Sequence, residues 1–168
     1  GTTANDGIRM ETSTNETIVL NNSVFSGGSS NTNRGVQVFT WSFRNNVTHN
    51  RVLARGSGND YGVYLVNNAD FNTVEYNNVT TNGTGANADV IVSETSWQNN
   101  ITNNVIHSNA TGSSNQGVVL NSDSNTTTIS GNNITTSGAD TNHGIWILNR
   151  GTSNNVTNNV INTSGAGS

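Results

Sequence analysis

Cysteine is absent from this 168-residue chain, and so are proline and lysine. Without cysteine there is no disulfide and no thiolate metal site. Charge is scarce: 10% of residues are charged, the net charge is −4, and the basic residues are six scattered arginines. A phosphate-binding surface needs clustered cations, so nucleic acid is not an expected partner. No apolar run approaches the ~20 residues of a membrane helix, so no membrane span is expected. Only 30% of the residues are hydrophobic. So polar a composition suits a disordered tract unless every apolar residue points into one narrow core.

Periodicity supplies that core. Asn22, Asn50, Asn77, Asn104, Asn132 and Asn159 recur at steps of 28, 27, 27, 28 and 27, each two residues before an aliphatic residue. A constant period of this length marks a solenoid. In a stack, each side-chain amide can donate to one neighbouring copy and accept from the other. Small residues open each unit: Gly7, Gly35, Gly62, Asp89, Gly117 and Gly144. One residue on lie Ile8, Val36, Val63, Val90, Val118 and Ile145, and two further on Met10, Val38, Leu65, Val92, Leu120 and Ile147. A spacing of two places both columns on one face of a first strand. Val19, Val47, Val74, Ile101, Ile129 and Val156 mark a second strand, and Val24, Val52, Val79, Ile106, Ile134 and Ile161 a third. The Asn column falls at the bend between them, where tolerance of left-handed backbone suits Asn.

Two-helix repeats would space apolar residues by three and four, and leucine-rich repeats would carry several Leu per unit. The expected fold is therefore all-β: one parallel β-helix domain over residues 1–168. It has six turns of 27–28 residues with three short strands each, and is about 29 Å long at ~4.8 Å per turn. Parallel connections favour the right-handed form.

The stretches from Gly144 to Asn149 (GIWILN) and Asn154 to Ile161 (NNVTNNVI) resemble right-handed parallel β-helix repeats, the pectin-lyase-like and NosD-like repeats of secreted and surface proteins. Gly62 to Asn67 (GVYLVN) and Asn72 to Val79 (NTVEYNNV) do so as well. The resemblance implies an extracellular or cell-surface location. It also implies a place to look for chemistry, since enzymes of this fold act on polysaccharides with clustered acids, often with calcium. Here Asp70 stands in a column between Phe43 and Trp97, Glu94 between Asn67 and Ser122, and Asp123 between Thr95 and Arg150. No two carboxylates share a column in adjacent turns, so the acid–base pair of glycoside cleavage is not expected. Neither catalysis, metal nor cofactor is expected.

The outer face of the first strand is more telling. Phe39, Tyr64, Val66, Ile91, Val119, Trp146 and Leu148 should point outward, a candidate face for assembly or glycan contact. Trp41, Phe43, Phe71 and Trp97 should pack beneath the first corner. Among many Asn-x-Ser/Thr matches, Asn82 and Asn109 fall in loops and are the candidate glycosylation sites. Gly1 and Ser168 both fall in the loop between units, so neither end is expected to be capped. Solenoid ends need covering, which makes further turns of the same polypeptide, or a head-to-tail or lateral copy of the chain, the expected partner. The functional expectation is a self-assembling structural protein (filament, sheath or surface layer), with a glycan-binding or polysaccharide-modifying domain as the alternative.

Overall fold

A computed structural model describes residues 4–29, 32–112 and 114–165, so the expected uncapped ends at Gly1 and Ser168 lie outside the described residues. Eighteen strands and no helix occur among the described residues. The first sheet stacks β1 (Asn5–Glu11), β4 (Thr32–Phe39), β7 (Asn59–Val66), β10 (Asn87–Ser93), β13 (Ser114–Leu120) and β16 (Thr141–Ile147). The second stacks β2 (Ile18–Leu20), β5 (Asn46–Thr48), β8 (Thr73–Glu75), β11 (Asn100–Thr102), β14 (Thr128–Ser130) and β17 (Asn155–Thr157). The third stacks β3 (Ser23–Gly28), β6 (Arg51–Gly56), β9 (Asn78–Thr81), β12 (Val105–Asn109), β15 (Asn133–Gly138) and β18 (Val160–Gly165). All three sheets are parallel, and each turn contributes one strand to each, giving a β-solenoid of six turns.

Register explains the constancy of the columns. Val36 lies opposite Ile8 below and Val63 above, and Val47 lies between Val19 and Val74. Every inward side chain therefore packs on its own counterpart one turn away. The aliphatic columns merge into one core, fully closed in the middle turns at Val63, Leu65, Val74, Val79, Ile101 and Ile106. Burying each such side chain stabilises by about 1.5–3 kcal/mol, which is how a chain poor in apolar residues still folds. The glycine that opens five of the six units is a matter of space. A Cβ on Gly35 would overlap Val52 Cγ1 and come within 2.6 Å of the Gly62 carbonyl oxygen.

The corners are built from left-handed backbone, four residues per turn. Thr40, Trp41, Arg44 and His49 have φ between 49° and 56°, and the equivalent four residues repeat this in every turn. At this φ each backbone N–H points along the solenoid axis: Trp41 donates to the Asn67 carbonyl (3.1 Å) and His49 to that of Glu75 (3.2 Å). The corners thus extend the sheets' ladders around the bends. The ladder asparagines, expected to occupy the left-handed position, do not. It belongs to the residue before them, His49 before Asn50 and Tyr76 before Asn77. That residue is exposed while the asparagine after it is buried, so two demands of the bend fall on two different residues.

Candidate functional site

Asn50 shows how one rung of the predicted ladder works. Its N–H and its Nδ2 both donate to Asn77 Oδ1, at 2.9 and 3.0 Å. Nδ2 also donates to the Val19 carbonyl of the turn before, at 2.8 Å. The pattern repeats through Asn77, Asn104 and Asn132. The ladder is therefore directional. Oδ1 faces the preceding turn, and each asparagine's own N–H awaits the next one. Among the described residues, no group donates to Asn22 Oδ1, and the Asn159 N–H meets no acceptor.

Two further ladders occupy the other corners. Asn45, Asn72 and Asn99 form the second: Asn45 N–H donates to Asn72 Oδ1 (2.9 Å) and Asn72 N–H to Asn99 Oδ1 (2.8 Å). Thr17 and Thr127 stand where this column lacks asparagine, each donating its N–H to the next one, Asn45 and Asn154. The third runs through Asn5, Asn33, Asp60, Asn87, Asn115 and Asn142, two residues before the glycine column. Sequence reasoning missed both because it required the same residue in all six units. The signal was nonetheless present, since the second column, like the first, lies two residues before an apolar column.

The candidate contact face on the first sheet largely covers itself. Val66 is 2% and Val119 7% exposed within the single chain, so neither is free to touch a partner, contrary to expectation. Phe39, Tyr64, Ile91 and Leu148 are half-buried, and Trp146 is the most open at 39%. Bulky neighbours form the cover: Tyr61 packs on Tyr64, Arg34 lies over Tyr64, Arg9 over Phe39, and His143 against Trp146. The corner aromatics depart from expectation in the opposite sense. Trp41, Phe71 and Trp97 are about half exposed instead of packed beneath the corner, and Trp41 and Phe71 occupy left-handed positions that turn the side chain outward. Trp97 Nε1 donates to the Asp123 carbonyl (2.7 Å), and Arg44 lies over the Phe71 ring. Asn82 and Asn109 are both exposed, as glycosylation would require, but only Asn82 lies in a loop: Asn109 is the last residue of β12, paired with Ser137 of β15.

Asp70, Glu94 and Asp123 lie dispersed along this corner. Asp70 Oδ1 accepts from the Trp97 N–H (2.6 Å), Asp123 pairs with Arg150 (2.7 Å), and Glu94 is exposed. Partial burial raises the Asp70 carboxyl above its ordinary value, against the Trp97 hydrogen bond. Among the described residues no group of three or more His, Cys, Asp or Glu could hold a metal ion, and no helix is long and apolar enough to cross a membrane. Two acids outside that corner are the most deeply buried. Asp60 and Asp89 are both wholly inaccessible, on the adjacent strands β7 and β10. Burial raises both carboxyls, that of Asp89 well above the usual range; a hydrogen bond from Asn33 pulls the other way at Asp60, while neither carboxyl oxygen of Asp89 has a hydrogen-bond partner.

No protein-family model matches the chain, and neither a curated protein nor a solved structure does.

Proposed function

We propose that this protein is a non-catalytic structural β-helix of the cell surface or extracellular space, which works by being extended turn upon turn. One observation carries the reading: the outermost described turns carry complementary ends of the same asparagine ladder. At one end Val156 and Ile161 are 43% and 46% exposed, although their counterparts one turn inward, Ile129 and Ile134, are fully buried. Beside them stands the unmet N–H of Asn159, and at the opposite end the unmet Oδ1 of Asn22. Joining these two would repeat the 2.9 Å bond that links every neighbouring pair in the ladder. The added turn would come from a second copy or from further turns of the same polypeptide. Stacking copies head to tail without closure builds a filament. The location rests on the resemblance to surface and secreted β-helix repeats.

The test is assembly of the purified chain. Light scattering and electron microscopy across a concentration series should show end-on filaments, and Ile161→Lys, at a site already open to solvent, should abolish them without unfolding the protomer. A wild-type chain that stays a compact monomer at high concentration would sink self-assembly. A second reading has its own support: Trp41, Phe71 and Trp97 stand about half exposed at the same corner of three successive turns, and an exposed aromatic face can stack on a sugar ring. Glycan binding lost in Trp41→Ala but retained in Ile161→Lys would favour it.

A further inference from the structure

The third asparagine ladder has one member that is not asparagine. Elsewhere in this column the side-chain nitrogen is the donor. Asn33 Nδ2 donates to Asp60 Oδ1 (2.6 Å), and Asn115 Nδ2 to Asn142 Oδ1 (3.2 Å) and the Ala110 carbonyl (3.1 Å). Asp60 puts an oxygen, Oδ2, where its neighbours carry that nitrogen. The carboxyl is fully buried; Oδ1 accepts from Asn33, and Oδ2 has no hydrogen-bond partner.

Two further oxygens lie on the same side as Oδ2. The position beside Gly83 locates it: a Cβ there would overlap Asp60 Oδ2 and lie 3.0 Å from both Asn87 Oδ1 and the Gly56 carbonyl oxygen. Asn87 Oδ1 already accepts the Asp60 N–H (2.9 Å), and the Gly56 carbonyl accepts the Thr84 N–H (3.1 Å). A carbonyl oxygen has a second lone pair, so each can accept once more. Three oxygens within 3.0 Å of one point call for a positive hydrogen or a cation between them.

No charged neighbour supplies it. On β4 the nearest cation is Arg34, which pairs with Asp6 (3.2 Å). On β6, Arg55 is exposed and lies over Phe25. β7 itself adds only Tyr61 and Tyr64, the loop from residue 82 to 86 carries no charge, and β10 contributes another buried acid, Asp89.

We propose that Asp60 is a proton-binding rung: its carboxyl is held as the neutral acid, and Oδ2–H donates to Asn87 Oδ1 or the Gly56 carbonyl in place of the amide hydrogens of asparagine. The middle of the solenoid is then tightened by acid and loosened by alkali. The proton sits on a group whose pKa burial raises in the folded state. The stabilisation it brings is fully present below the unfolded carboxyl pKa and is lost as pH rises through the folded one.

The test is unfolding of the full chain by urea from pH 4 to pH 9, for wild type, Asp60→Asn and Asp89→Asn. Asp60→Asn restores the residue of the other five members and should fold. It should match wild type at pH 4, exceed it at pH 8, and reduce the pH slope by about one proton per chain. Asp89→Asn separates the second buried acid's share. An unchanged slope in Asp60→Asn would overturn the proposal. So would stabilisation of the wild type, but not of Asp60→Asn, by added calcium or sodium at pH 8, because the cradle would then hold a metal cation. A second readout needs no variant: the ¹³C resonance of the Asp60 carboxyl should sit at the protonated position at pH 6, and finding it ionised there would also refute the idea.

Discussion

Asn77 is where a single side chain can be weighed. Its Oδ1 accepts from both the N–H and the Nδ2 of Asn50, while its Nδ2 reaches the carbonyls of Val47 and Glu75. Asn77→Ala strands these buried groups, so it should cost about 1–3 kcal/mol in urea unfolding, and Asn104→Ala the same. Asn22 is exposed and, among the described residues, nothing donates to its Oδ1, so Asn22→Ala should change stability by no more than about 0.5 kcal/mol. Equal sensitivity of Asn22 and Asn77 would mean that a further turn stacks beneath the first. The glycine column answers to space instead. At Gly35 a methyl group would meet Val52 and the Gly62 backbone, so Gly35→Ala should cost about 1–3 kcal/mol.

At the scale of the element, the corners hold stored strain. Thr126 adopts φ 54° with an exposed side chain, a conformation costing a β-branched residue roughly 1–2 kcal/mol. Asparagine tolerates that region far better, so Thr126→Asn should stabilise by up to about 1 kcal/mol, measurable as a higher urea midpoint. The corners also mark how far periodicity can be read. The strands were legible because inward positions must match their counterparts one turn away, and Val36, Val47 and Val52 announce this directly. The left-handed positions were not, since Thr40, Trp41, Arg44 and His49 share no chemistry. What they share is a backbone N–H aimed at the next turn, and no side chain reports that. The second ladder stayed hidden for a related reason: its Thr17 and Thr127 still donate the backbone bond without the amide.

For the whole molecule, the deepest liability is Asp89, an acid in a column that is otherwise glycine. Burial raises its carboxyl, so the folded chain holds a proton that the unfolded chain releases above about pH 3.9. Asp89→Gly should therefore raise thermal stability more at pH 8 than at pH 4, and equal gains at both would count against a buried, protonated Asp89. Some features of this protein follow from the sequence alone. Parallel strands, six turns, three apolar faces and one amide ladder were all readable, because a solenoid writes each turn's packing demand into the next at a fixed interval. Other features needed the turns in place. Val66 and Val119 disappear beneath their neighbours, and Trp41, Phe71 and Trp97 emerge into solvent, because exposure depends on the sizes of side chains in adjacent turns. Asp60, one aspartate among ten acids in the sequence, becomes a candidate proton site only when Asn33, Asn87 and Gly56 are stacked around it. Period is a property of one dimension, but the surroundings of a buried carboxyl oxygen exist only in three.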